Sequence, residues 1–160
     1  MPDQVSRLFT IGYEGATPSA LGDALTTAGV DVLVDVRAVA NSRRPGFSKR
    51  ALAAGVDERG LGYLHLRGLG TPAEGRAAAR AGRHAEMKAI FAEQLRTDAA
   101  QEDLAGLIEL VKNGRKLCLL CFEREPEHCH RMMVAERIEA GVTSLEIEHL
   151  HPLPATFERP

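Results

Sequence analysis

Two spacings of apolar residues alternate along this chain and divide it into strands and helices. Leu8–Gly12 (LFTIG) is short and apolar enough for a first strand. Thr17-Pro18 then sets an N-cap residue before a proline suited to the first helical position. Leu21, Leu25 and Ala28 follow at helical spacing, and Gly29 is a suitable stop. Val30–Arg37 (VDVLVDVR) is nearly continuous in apolar character, the pattern of a strand covered on both faces. Asn41–Lys49 (NSRRPGFSK) is a basic loop, after which Ser48 can cap a short helix carrying Ala51 and Leu52.

Gly62–Arg67 (GYLHLR) predicts a third strand, closed by a turn at Gly68–Thr71. Ala73–Arg83 mixes Ala, Arg and Gly without a clear apolar face, which leaves it as a mobile loop or a weak helix. Glu86–Leu95 is helical, with Met87, Ile90 and Phe91 aligned. Asp103–Lys112 is helical as well, with Leu104, Leu107, Ile108 and Val111 on one face and Asn113-Gly114 as its stop. Lys116–Phe122 (KLCLLCF) is the most apolar strand. Arg131–Ala140 is a helix turning Met132, Ala135 and Ile138 inward and ending at Gly141, and Leu145–His149 is a last strand.

Strands alternating with helices predict an α/β fold: one Rossmann-like domain with a mostly parallel sheet of about five strands and helices on both faces. There is no internal repeat and no linker, so one domain over residues 1–160 is expected, with a core from about residue 8 to about residue 150. The proline-rich end at residues 151–160 is expected to be a surface tail. Open sheets of this kind bind ligands beyond the carboxyl ends of their strands, near a switch in strand order. Attention therefore falls on the segments after the strands: Tyr13-Glu14-Gly15, Arg37 to Phe47, Leu69-Gly70, and Phe122 to Arg131.

Composition narrows the classes. A length of 160 residues suits one core without a metal or disulfide scaffold, and the absence of Trp leaves that core to Leu, Val, Ile and Ala. A formal net charge of -2 argues against coating nucleic acid through overall charge, though not against a local basic patch. The opening MPDQVSRLFT lacks the pattern of a secretion leader, and no apolar run approaches the roughly 20 residues of a membrane helix, so no membrane partner is expected. Three cysteines, an odd number, fit a reducing cytoplasm.

Three constellations carry candidate chemistry. In Cys121-Phe-Glu123-Arg-Glu-Pro126-Glu-His-Cys129-His130-Arg131 an apolar strand passes into a helix. Free N–H groups at that helix start, with His130 and Arg131 beside them, favour an anion and would lower the pKa of a cysteine there. The competing reading of Cys121 is a small core residue, since free cysteine is commonly buried. Cys121, Cys129 and His128 or His130 are metal-ligand types, but the segment lacks the short C-x2-C pair of common structural zinc sites. No metal site is therefore expected, and a Cys121–Cys129 redox pair is likewise a minority reading.

The second constellation joins Asp35-Val-Arg37 to the loop with Ser42, Arg43, Arg44, Phe47 and Lys49. Asp35 and Arg37 face the same way on a strand, so the carboxylate can orient the guanidinium. The loop resembles a phosphate- or nucleic-acid-facing segment, with Phe47 available for stacking. Its bland reading is a solvated charge run. The third constellation is Gly12 and Tyr13, where glycine permits close backbone approach. His65 shares a strand face with Tyr63 and is more plausibly supporting than catalytic. Arg80, in the Ala/Arg-rich stretch, is expected to lie outside any site. A Walker loop, an H-E-x-x-H motif and a G-x-S-x-G elbow are all missing, which leaves any cofactor unassigned.

Together, TIGYEG, LVDVRAVANSRRPGFSK, YLHLRGLG and LLCFEREPEHCHR resemble, in that order, the domain-of-unknown-function family 488. The likeness runs from about Leu8 to about Leu150, and its specific parts are the D-V-R strand and the C-x-E-x-x-P-x-x-C-H-R ending. It implies a compact α/β protein of bacterial type and no established reaction. Signature positions carried over are Gly12, Asp35, Arg37, Ser42, Arg43, Phe47, His65, Leu69, Gly70, Cys121, Glu123, Pro126, Cys129, His130 and Arg131.

Three functions follow in order of preference. The first is an enzyme acting on a phosphate-bearing substrate, a nucleotide or nucleic acid. In it Arg37, Ser42, Arg43, Arg44, Phe47, Lys49 and Arg131 form the anion site, Cys121, Glu123, Cys129 and His130 do the chemistry, and Gly12, Tyr13, Asp35 and His65 give structural support. The second is a binding module for nucleic acid or a nucleotide, with the same arginines and no activated cysteine. The third is a cysteine-based redox or metal-responsive protein. Nothing in the sequence selects an oligomeric state.

Overall fold

The structure, a computed structural model, describes residues 5–154. Five strands, β1 (Ser6–Gly12), β2 (Val32–Asp35), β3 (Gly62–His65), β4 (Leu117–Cys121) and β5 (Leu145–Leu150), form one sheet in the order β3-β2-β4-β1-β5. Every pairing is parallel. Around it lie α1 (Pro18–Ala28), α2 (Lys49–Glu58), α3 (Ala73–Arg80), α4 (His84–Gln94), α5 (Asp98–Lys112) and α6 (Arg131–Gly141). The expected α/β, Rossmann-like class is therefore what the chain adopts. Among the described residues, no helix is long and apolar enough to cross a membrane. Residues 155–160 of the expected tail, and residues 1–4 of the opening segment, lie outside the described residues.

Each sheet face has its own core. Leu21 and Leu25 of α1 and Leu52 and Val56 of α2 pack with Phe9, Ile11, Leu33, Cys118 and Leu120. On the other face, Ala78, Met87, Phe91, Leu104, Leu107, Val134 and Ile138 of α3 to α6 meet Leu8, Val34, Leu117 and Leu119. The period of two sorts successive β4 residues to opposite faces, which is why an unbroken apolar run suits the central strand. The chain moves outward from β1 to β2 and β3 with its helices on one face, then returns through β4 to β5 with its helices on the other. β4 thus sits between two strands whose following helices take the opposite face, so the loops part at its carboxyl end.

Local signals act largely as expected. Thr17 Oγ1 accepts from Ala20 N–H at 3.1 Å, and Gly29 closes α1 at φ 79°. Several boundaries shift by a residue or two, and three elements differ in an instructive way. β2 spans only Val32–Asp35, because Val30 N–H returns to the Leu25 carbonyl. α5 begins at Asp98, capped by Thr97, since that cap and the alanines behind it extend the helix before its apolar face starts. Ala73–Arg80 is a helix whose inner face is Gly75 and Ala78, residues too small to register as an apolar stripe. A Cβ on Gly75 would press on Thr71 and on Ile90 of α4, so smallness is what lets the two helices close.

Candidate functional site

The carboxyl ends of β2 and β4 lie side by side, with Asp35 opposite Leu120 and Val36 N–H donating to the Leu120 carbonyl at 3.1 Å. Beyond them opens a cleft of about 700 Å³. Its floor holds Cys121, Glu123 and His130, one wall presents Tyr13 and Arg37, and the other is made by Thr71, Arg76, Arg80 and His84. Phe122, 40 % exposed, and Val39, 55 % exposed, add apolar surface at its edge. A second cleft of about 510 Å³ between α1 and β5 holds no cysteine.

Two glycines let the chain close this region. Gly12 pairs with Cys121, and a Cβ there would fall on the Glu123 carbonyl. Gly70 brings the turn after β3 against Ala38, whose backbone would collide with any side chain.

The floor is a cluster of two thiols and an imidazole. His130 Nδ1 lies 3.6 Å from Cys121 Sγ and 3.8 Å from Cys129 Sγ, and its Nε2 lies 2.8 Å from the Val36 carbonyl. That carbonyl can only accept, so Nε2 donates and Nδ1 turns to the sulfurs. The three ligand atoms all lie within 4.8 Å of one another, and all three residues are buried. Phe91 packs edge-on against the imidazole. Burial opposes charge on Cys129, yet its hydrogen bond with Cys121 and the fields of His130 and Arg131 outweigh that and push it toward thiolate. Cys121 moves the other way, through its hydrogen bond to Cys129 and through burial. His130 is pushed up: burial opposes its charge, and Cys129 with the Val36 carbonyl overcomes it. Burial, then the neighbouring Cys129, pushes the Glu123 carboxyl up to about 7.

The Asp35–Arg37 pair forms a second buried group beside it. Asp35 is fully buried and accepts from Arg37 N–H, Nε and Nη2 at 3.1, 2.9 and 2.7 Å, and from the Tyr63 hydroxyl. Arg37 Nη1 donates to the Phe47 carbonyl at 2.8 Å and to Tyr13 Oη at 3.3 Å. Burial works against the Arg37 charge, and Asp35 more than compensates, so the guanidinium holds its proton more firmly than usual. Burial and the bond to Asp35 push the Tyr63 hydroxyl up in turn. His65 Nε2 takes the Arg37 carbonyl at 2.8 Å.

Most of the expected anion-binding set is spent inside the molecule. Phe47 is fully buried and stacks on Tyr13 with ring centroids 4.7 Å apart, so its ring is closed to a base. Arg44 donates to the carbonyls of Tyr13, at 2.9 Å, and Ala16. Ser42 Oγ accepts from Arg44 N–H within the loop. Arg131, wholly buried, holds the Glu123 and Arg124 carbonyls at 2.5 and 3.2 Å, with its Nε unpartnered among the described residues. It clamps the loop under the cleft and is not part of its lining. At the start of α6, Met132 N–H returns to Cys129 and Met133 N–H to His130, so those two groups are taken within the turn. Arg43 and Lys49 are exposed and do not line the cleft.

Arg76, Arg80 and His84, by contrast, line the cleft without having stood out in the sequence, and so does His128, weighed there only as a metal-ligand type. Arg80, expected outside any site, is on its wall. Arg76 and Arg80 are four residues apart on α3 and so share a helix side, and Arg76 Nη1 donates to the Thr71 carbonyl at 2.9 Å. His84 stacks on His128 at 4.5 Å, with its Nδ1 buried and unpartnered among the described residues. The available signal was the spacing of Arg76 and Arg80, which has meaning only once 73–80 is known to be helical.

Compared with protein-family models, the chain matches the one described as Domain of unknown function DUF488 over residues 17–138, more than half its length. The chain belongs to that family. No curated protein and no solved structure matches it.

Proposed function

We propose that this member of the domain of unknown function DUF488 family is an enzyme acting on a phosphate-bearing small molecule, bound in the cleft above Cys121 and His130. One observation carries the reading: a thiol–imidazole floor, two arginines of one helix and an exposed aromatic edge share the space beyond the central strands. That is the place where open α/β sheets take ligands. Arg76 and Arg80 supply guanidinium groups for phosphate oxygens, and Phe122 offers a flat face for a base or another apolar group. Glu14, Glu123 and Glu125 line the same cleft. The charge is therefore mixed, which suits a ligand placed in one orientation better than a long polyanion. The internal use of Arg44, Phe47 and Arg131 also favours a small molecule over extended nucleic acid.

The chemistry falls to the floor: Cys121 and His130 face the cleft, Cys129 lies directly behind, and Glu123 is the neighbouring acid or base. Arg37 is a positioning residue, since its N–H groups hold Asp35, Tyr13 and Phe47. The reading is tested by calorimetric titration of inorganic phosphate and of nucleoside mono- and diphosphates into wild type and Arg76→Ala/Arg80→Ala. The double variant should bind at least about tenfold more weakly, the loss of one or two charge-assisted contacts. Equal affinities in the two proteins, or no binding of any of these to wild type, would overturn it.

A further inference from the structure

We infer that Cys121, Cys129 and His130 form a zinc site whose fourth coordination position opens into the cleft. The inference builds on the reading of the cleft as an active site and gives that site its reaction centre. Its first support is distance. In a tetrahedral site with Zn–S near 2.3 Å and Zn–N near 2.0–2.1 Å, a sulfur and a nitrogen ligand stand about 3.6 Å apart. His130 Nδ1 lies 3.6 and 3.8 Å from the two sulfurs. The second support is orientation. Nδ1 has one lone pair or one hydrogen and can serve one thiol at a time, yet both sulfurs converge on it. A single cation satisfies all three together. The third is the outer contact: metal-bound histidines typically donate their other ring N–H to a carbonyl or carboxylate, which fixes tautomer and ring. His130 Nε2 makes that bond to Val36, at 2.8 Å.

The ligand chemistry selects the metal. Two sulfurs and an imidazole are soft and borderline donors, suited to zinc and poorly suited to magnesium or calcium. Three protein ligands with one free position are the pattern of catalytic zinc, whereas structural zinc is closed by four. Cys121 and His130 line the cleft, so the free position faces it. A zinc ion there supplies a bound water whose pKa falls to about 7. The eight-residue spacing between the cysteines conceals all this. A short C-x2-C pair makes a turn that holds a metal locally, whereas here the end of β4 and the turn before α6 are brought together by the fold.

The test uses the full chain, purified reduced and without chelator. Metal analysis of wild type after growth with zinc should give about one equivalent per chain. Cobalt added to the chelator-stripped protein should produce a thiolate-to-cobalt charge-transfer band and the strong visible bands of a tetrahedral site. Cys129→Ser, with its folding checked by circular dichroism, should bind zinc roughly a hundredfold more weakly or worse. Cys118→Ala, altering the fully buried thiol on the opposite sheet face, should keep the metal. Arg76→Ala/Arg80→Ala should also keep it, whatever happens to its phosphate affinity, so the metal centre and the phosphate reading stand or fall separately. No uptake by wild type, cobalt uptake without the thiolate band, or equal affinity in folded Cys129→Ser would each overturn the site.

Discussion

Two buried polar groups lie side by side at the carboxyl ends of β2 and β4, and they are built to opposite rules. In the Asp35–Arg37 group the needs of charge and hydrogen bond are met internally: the carboxylate collects three N–H groups of Arg37 and the Tyr63 hydroxyl, and the guanidinium passes on to Phe47 and Tyr13. In the Cys121–Cys129–His130 group, two sulfurs share one ring nitrogen, and two of the three residues face the cleft. A closed network spends its polarity on shape. A cluster in which two sulfurs share one ring nitrogen keeps capacity for a ligand, because Nδ1 can serve only one of them at a time. Buried polarity alone therefore does not distinguish scaffold from site; whether each group has a partner of its own or must share one does.

The sharpest way to test the contrast is to break each group once. Asp35→Ala strands a buried guanidinium and should cost about 3–5 kcal/mol in urea unfolding. Cys129→Ser in the metal-free protein removes no charge partner of that kind and should cost only about 1 kcal/mol. If the two losses are equal, the contrast between scaffold and site fails. A smaller effect is expected within the closed group. Tyr63→Phe deletes one of the donors to Asp35 while three from Arg37 remain, so a loss of about 1–2 kcal/mol is expected at unchanged zinc affinity. A change in zinc affinity with unaltered stability would show that the two groups are one.

The smallest effect belongs to neither group and sets a baseline. His149 packs beside the Thr10 hydroxyl, with Nδ1 at 2.6 Å, and burial, then Arg131 and His151, depress its pKa; Glu127 pulls weakly the other way. A histidine with a depressed folded pKa adds stability that is present above its unfolded value, near 6.5, and is lost as pH falls. Stability should therefore decline below about pH 6.5, and His149→Gln should flatten that decline. An unchanged pH profile in the variant would assign the titration to another group.

How much of this was legible in the sequence differs between the groups. The Asp35–Arg37 pairing can be read from two letters, because a strand turns positions i and i+2 to one face and a carboxylate there orients a guanidinium. The parallel α/β class is legible for the same local reason: VDVLVDVR and KLCLLCF suit strands covered on both sides, and Thr17-Pro18 and Gly29 bracket a helix by backbone chemistry alone. Cys121, Cys129 and His130 are visible as reactive types, yet the sequence points to a helix-start anion site with Arg131. In the fold, Arg131 turns under the loop to hold two carbonyls, and the N–H groups of Met132 and Met133 are used by their own turn.

The sequence by itself determined the periods, the caps and the residue types able to do chemistry, since each depends on neighbours a few positions away. Only the tertiary structure decided which cations reach the cleft. Arg44, in a conspicuous basic loop, is consumed by carbonyls of a segment 28 and 31 residues distant. Arg76 and Arg80, in an unremarkable stretch, reach the wall because Gly75 and Ala78 let α3 settle close to α4. The convergence of two sulfurs on one imbedded imidazole is tertiary too. It requires β4 to end beside β2, so that the Val36 carbonyl can take Nε2 from 94 residues away and turn Nδ1 toward the cysteines. Local sequence sets what a side chain can do; the crossing of distant backbone segments sets what it has left to do it with.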